Sequence, residues 1–223
     1  MDAAARKKIT DVISADRFGT YRQAAGGDDG LALRLYEWNI QISAAFLGPL
    51  QVLEVALRNA AHERMALLRG RSDWWHSPGI NLQVEHATRV CEATVKASRG
   101  GVPTPGKVVA ELPFGFWVAL LGKGGRHRYE HRLWWPALRQ AFPHYQGPRK
   151  DLHIQVDHLR LFRNRIAHHE PIFARHLAAD HASLTEVVGW ICPTTCDWMA
   201  ARSRVDAVLA GNPLHGATGP LTF

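Results

Sequence analysis

The sequence predicts an all-α protein, and three observations carry that prediction. Apolar residues recur at helical spacings of three and four along most of the chain. Strand signals are almost absent: short apolar runs such as residues 9–13 lack strict alternation and turn-rich flanks. Gly- and Pro-rich breaks separate the periodic stretches, with no internal repeat and no low-complexity block.

The elements follow in order. Leu31, Leu35, Trp38, Ile42, Ala45 and Phe46 form one apolar stripe. Leu50, Leu53, Leu57, Ala60, Ala61 and Met65 form a second. Gly48 and Pro49 lie between them and mark a break, so the two stripes read as a helical hairpin or one bent helix. Arg69-Gly-Arg-Ser-Asp is a connecting loop, after which Trp74 and Trp75 are expected to pack back on the core. Ser77-Pro-Gly-Ile precedes a helix at about residues 82–98. Gly100-Gly-Val-Pro-Thr-Pro-Gly is a loop, and helical character resumes at residues 108–112 and 116–121. Residues 122–128 are flexible and basic, and Leu133-Trp-Trp-Pro-Ala-Leu-Arg reads as a short apolar anchor. The strongest helix covers residues 149–168, with Leu152, Val156, Leu159, Phe162 and Ile166 as its stripe. Pro171 disfavours its continuation, because proline lacks an N–H and restricts Glu170. Helices at residues 181–190 and about 194–209 follow. The expected organisation is a single domain over residues 1–210 with a frayed tail at 211–223.

Composition narrows the function classes. Of 223 residues, 46% are apolar and 21% charged, which is ordinary globular usage and excludes global disorder. Three scattered cysteines, Cys91, Cys192 and Cys196, exclude a disulfide framework and favour a reducing compartment. The formal charge of +7 fits a polyanionic partner, either nucleic acid or an anionic membrane face. No run of about 18 consecutive apolar residues occurs, so no membrane-spanning helix is expected. Met1-Asp-Ala-Ala-Ala-Arg-Lys-Lys has no apolar run behind its charges and does not read as a secretory leader. A cytoplasmic protein with no membrane partner is the expectation.

The densest polar cluster is Arg163-Asn-Arg-Ile-Ala-His-His-Glu170, at the end of the strongest helix. At about 100° per residue Arg163 falls in the same arc as Leu159 and Ile166, where a cation needs an anion, a hydrogen-bond network or an interface. Asn164 and His168 are four residues apart and share one face. These groups suit RNA cleavage without metal. A histidine transfers protons near neutral pH, a guanidinium stabilises charge on pentacoordinate phosphorus, and the nucleophile is the RNA's own 2′-hydroxyl. On an ideal helix Arg163 and His168 are about 140° apart, so two facing copies meet one phosphate more readily than a single copy. A plainer reading stands beside it: Arg and His near a helix C-terminus simply complement the macrodipole.

Arg163-Asn-x-x-x-His168, extended to Arg-Asn-Arg-Ile-Ala-His-His-Glu-Pro-Ile, resembles the active-site signature of HEPN domains, and more narrowly their Abi-like (abortive-infection) branch. Leu35-Tyr-Glu-Trp-Asn, Ser43-Ala-Ala-Phe, Leu53-Glu-Val-Ala-Leu-Arg-Asn-Ala, Leu112-Pro-Phe-Gly-Phe-Trp and Trp190-Ile-Cys-Pro resemble further blocks of that family in the same order. The resemblance covers roughly residues 30–200. It implies a HEPN-like helical bundle with additional helices, paired as a homodimer. It also implies a metal-independent endoribonuclease that leaves 2′,3′-cyclic phosphate and 5′-hydroxyl ends, in phage defence or as a toxin. Association with a non-coding or antitoxin RNA is a further implication. Carried over, Arg163 holds the scissile phosphate, His168 is the general acid or base, and Asn164 orients one of the two. For His169 two roles stand open, assistance in proton transfer or capping of the helix end. No cofactor is implied. The runner-up is a non-catalytic RNA-binding protein that associates with a structured non-coding RNA.

Other residues carry paired readings. Glu54 and Arg58 have the spacing of an intrahelical ion pair, whereas Glu54 is also a candidate partner for Arg163. Arg58 and Asn59 belong to the same block and are expected to support the site. Lys123, Arg126, Arg128 and Arg132, beside Tyr129, Trp134 and Trp135, suit single-stranded RNA or form a solvated loop whose tryptophans pack inward. Arg160 and Arg165 on the strongest helix join them as candidate RNA contacts. His127-x-x-x-His131 has metal-ligand spacing but no third ligand, so no metal is expected.

Overall fold

Helices make up the ordered structure, with no strand among the described residues, so the protein is all-α. The computed structural model describes residues 2–221. Its principal helices are α1 (Ala3–Ile13), α2 (Ala15–Ala24), α3 (Asp29–Arg69), α4 (Val84–Ser98), α5 (Pro105–Glu111) and α6 (Phe114–Leu120). After these come α7 (Arg149–Ala167), α8 (Leu177–Ile191), α9 (Pro193–Ala200) and α10 (Val205–Leu209).

Two compact units divide the chain, where the sequence predicts one domain over 1–210. The first comprises Met1–Pro49, Arg165–Ala182 and Arg202–Phe223; the second comprises Leu50–Asn164 and Ser183–Ala201. Three of the four divisions fall inside α3, α7 and α8, where no linker composition marks them, and the fourth falls in the turn between α9 and α10.

In the first unit, α1 and α2 occupy a stretch where periodicity assigns no element. Among the described residues of that stretch Phe18, Tyr21 and Ala25 are the buried ones, too few to draw an apolar stripe. Local chemistry starts both helices: Asp2 accepts from the N–H of Ala5 at 2.7 Å, and Ser14 from that of Arg17 at 3.4 Å. Leu35, Trp38, Ile42 and Phe46 of α3 are fully buried, with Ile172, Leu177 and Val205. The Trp38 indole donates to the carbonyl of Val208 at 2.9 Å, so a buried ring keeps its polar handle satisfied. Residues 211–221, expected to fray, are tied back. Asn212 and Pro213 are buried, and Arg34 donates to the carbonyls of Ala217 and Gly219, both at 3.1 Å. Residues 222 and 223 of that tail lie outside the described residues.

α3 settles the hairpin question as one helix of 41 residues that continues through Pro49. It is about 60 Å long at 1.5 Å per residue. Pro49 donates no N–H to the carbonyl of Ala45, a cost that the buried stripes on both sides outweigh. Against the sequence expectation, α3 is long and apolar enough to cross a membrane by length and composition. Polar residues such as Glu37, Asn39 and Gln41 interrupt it, which is why no consecutive apolar run exists. Leu35, Trp38, Ile42, Leu53, Leu57 and Met65 along it are buried in the protein itself.

In the second unit the core gathers Leu53, Leu57 and Met65 of α3, Phe116, Trp117 and Leu120 of α6, and Leu152, Val156, Leu159 and Phe162 of α7. Each such side chain contributes roughly 1.5–3 kcal/mol by leaving water. Trp74 and Trp75 pack inward as expected, Trp74 with its ring 6.4 Å from that of Trp117. The stretch read as one helix at 194–209 is α9 and α10, with turn between them. Pro193 opens α9, because its missing N–H costs nothing at a first helical position.

Three histidines of this unit make its stability depend on pH. Burial holds the imidazoles of His62, His86 and His153 below their ordinary range. The folded protein therefore keeps them neutral while the unfolded chain binds protons first, below about pH 6.5. Their contribution is present above that pH and is lost as the pH falls. Thermal melting at pH 7.5, 6 and 5 is expected to show a falling midpoint, and the triple His→Gln variant a flatter profile.

Candidate functional site

The signature sits where α7 ends, and the end is built by the backbone. The N–H of Glu170 bonds the carbonyl of Arg165 at 2.9 Å, and that of His169 bonds Ile166 at 3.0 Å. This pair closes the last turn around His169, whose φ of 56° is left-handed. The His169 carbonyl also accepts from Arg17 at 3.0 Å. Of the two roles open for His169, ending the helix is the one its backbone fulfils. His168 precedes it with an exposed side chain.

Arg163 and Asn164 belong to the second unit, where they line a cleft of about 570 Å³. Glu54 of α3, Pro113 and Phe114 at the start of α6, and Arg160 of α7 share its wall. Three sequence blocks thus converge on one cavity. Arg163 meets Glu54 at 3.4 Å, the second of the two partners considered for Glu54. The Glu54–Arg58 pair does not form: Arg58 Nε is buried with no hydrogen-bond partner among the described residues. Asn59 is exposed and lines none of the cavities described here.

The apolar arc predicted for Arg163 is only partly correct. Its side chain is 40% exposed, because the cleft opens over that face of the helix. A half-exposed pair contributes at most about 1 kcal/mol. Arg163→Ala is therefore expected to lower stability by no more than about 1 kcal/mol in urea unfolding. Loss of a partner from a fully buried pair would cost roughly 3–5 kcal/mol.

The candidate RNA contacts separate. Arg160 pairs with Asp157 at 2.7 Å and still lines the cleft. Arg165 is spent on its own turn, facing Glu170 at 3.3 Å and donating to the carbonyl of Pro171 at 3.0 Å. Arg126, Arg128 and Arg132 are exposed, and Lys123 lines a different cavity of the same unit. Tyr129 is fully buried rather than displayed. Its hydroxyl accepts from the N–H of Gln83 at 2.7 Å and lies 2.8 Å from Nδ1 of His86. Among the described residues no three His, Cys, Asp or Glu side chains gather to hold a metal ion.

The cleft also contains residues that sequence reasoning missed: Glu85, His86 and Arg89 of α4. The buried Tyr129 hydroxyl shares a hydrogen bond with His86 Nδ1 and so holds the imidazole in the cleft wall. No spacing in residues 84–98 signals this role, because the partner is distant in sequence.

No family model, no curated protein and no solved structure matches this chain.

Proposed function

We propose that this chain is a metal-independent endoribonuclease of the HEPN type that works as a homodimer. The observation that supports it best is the convergence at one cleft. Glu54, the Pro113–Phe114 pair and Arg163 with Asn164 each come from a block resembling the Abi-like family. His168 follows on the same chain, exposed just past α7.

In this reading the 2′-hydroxyl of the RNA attacks the adjacent phosphorus and the bond to the 5′-oxygen breaks. One proton leaves the 2′-oxygen and another reaches the departing 5′-oxygen. His168 acts as general base or acid in this exchange. Arg163 holds a phosphate oxygen and stabilises the charge on pentacoordinate phosphorus, as a preorganised cation does best away from bulk water. Asn164 orients the phosphate or the histidine. The products carry a 2′,3′-cyclic phosphate and a 5′-hydroxyl, and no cofactor takes part. A cytoplasmic setting, a role in phage defence or as a toxin, and an associated non-coding RNA complete the proposal.

A second reading is a non-catalytic binder of structured RNA. It draws on Arg163 and Arg165 both facing carboxylates, Glu54 and Glu170, as cations that organise a fold do. One experiment separates the two: purified protein with single-stranded and structured RNAs in EDTA, beside His168→Ala. Cleavage by the wild type alone, with cyclic-phosphate ends, is the expected result. Intact RNA with a salt-sensitive gel shift would replace the nuclease with the binder.

A further inference from the structure

A second cavity of the second unit, about 600 Å³, shares no lining residue with the cleft of Arg163. We propose that it is a site for single-stranded RNA, holding phosphates on Lys123, Arg139 and Lys150 and stacking a base on Trp135. The inference rests on the RNA reading above and deepens it.

Charge is the first support. Lys123, Arg139, Arg149 and Lys150 line this cavity against one carboxylate, Glu130. Lys123 and Lys150 are exposed and form no ion pair among the described residues. Such a concentration of unneutralised cations in a concavity attracts a polyanion and holds counterions that a nucleic acid displaces.

Trp135 is the second. Its neighbour Trp134 is 4% exposed and belongs to the core, whereas Trp135 is 52% exposed on the cavity wall. The expectation that both tryptophans pack inward fails at Trp135 alone. Arg139 rests its guanidinium carbon 5.7 Å from the Trp135 ring centroid, which steadies ring and cation without burying either residue. An aromatic face beside a planar guanidinium is the pairing that stacks a base and grips the adjoining phosphate.

Arg149 is the third. It is 7% exposed, lines the cavity, and donates one amino group to the carbonyl of Leu121. Its buried Nε faces Oε2 of Glu130 at 3.5 Å, an ion pair that holds the guanidinium at the cavity wall. Arg149 and Lys150 also open α7, a helix of 19 residues whose N-terminal dipole favours an anion at the same place.

The shape favours a strand over a membrane. The tryptophan and cations line a recess, whereas a bilayer is met by a projecting apolar rim. Stacking and phosphate contact do not read the 2′-hydroxyl, so single-stranded DNA of the same sequence is expected to bind within a few-fold of RNA.

The test is fluorescence anisotropy with a short labelled single-stranded RNA over a range of salt, with each variant's melting checked. Trp135→Ala is expected to weaken binding by about tenfold or more, and Trp135→Phe to restore most of it. Lys123→Gln with Lys150→Gln is expected to reduce the slope of log affinity against log salt by about one to two. His168→Ala, outside this cavity, is expected to bind as the wild type does. Wild-type affinity and slope in both sets of variants, while the wild type still cuts or binds RNA, would overturn this site and leave the RNA reading standing. No binding or cleavage of any RNA by the wild type would remove both. Anionic vesicles captured through Trp135, with RNA affinity unchanged by its loss, would make the cavity a membrane contact instead.

Discussion

His168→Ala is expected to reduce RNA cleavage by at least about 100-fold, the lower end of what a positioned proton-transfer group contributes. The fold is expected to stay intact, because the side chain is exposed and the helix end is closed by backbone bonds of Glu170 and His169. RNA affinity is expected to hold as well, since proton transfer acts in the transition state and not in binding. Three readings of one sample check this: cleavage in EDTA, thermal melting and anisotropy. Cleavage within a few-fold of the wild type would sink His168 as the acid or base. The exposed His169 would then be tested next, in His169→Gly, which keeps the left-handed turn and removes the ring.

Asn39→Ala is expected to destabilise the protein by about 2–4 kcal/mol, the cost of two backbone donors left without an acceptor. Asn39 is 5% exposed, and its Oδ1 accepts from Ile172 at 2.8 Å and from Phe173 at 3.1 Å. Those N–H groups lie just after Arg165, whose own bond to Pro171 shapes the same turn. The asparagine thus secures the chain as it leaves the signature. Cleavage is expected to fall together with stability, because a misplacement of about 1 Å near reacting groups can cost about 100-fold. Urea unfolding measures the first effect and single-turnover cleavage the second. A stability change under about 0.5 kcal/mol would show that water replaces the lost acceptor.

Asn39 illustrates how far the residues could be read in advance. Its place in Leu35-Tyr-Glu-Trp-Asn marks it as notable, but nothing in that block says what it bonds. Its partners are 133 and 134 residues away. Glu54 is a sharper case. Spacing offers Arg58 as its partner, and an equally acceptable salt bridge to Arg163 forms instead. The arc argument places Arg163 toward the core correctly as a direction, but it says nothing of the cleft that leaves the side chain 40% exposed. His86 carries no local signal, because its role depends on a buried tyrosine hydroxyl from another segment.

By itself the sequence determined the helical class, the position of most helices, the stripe of α7 and the adjacency of Arg163, Asn164 and His168. Those features are local: a period of 3.6 residues, a proline or glycine, and the order of neighbours along the chain. Only the tertiary structure decided that α3 runs unbroken through Pro49 and that the chain forms two units, each from separate segments of the sequence. It also decided that Glu54 meets Arg163, that Arg165 pairs with Glu170 of its own turn, and that Trp135 is exposed while Trp134 is buried. Each of these is a choice among partners that local chemistry leaves equivalent, and packing makes it by bringing distant segments of the chain together.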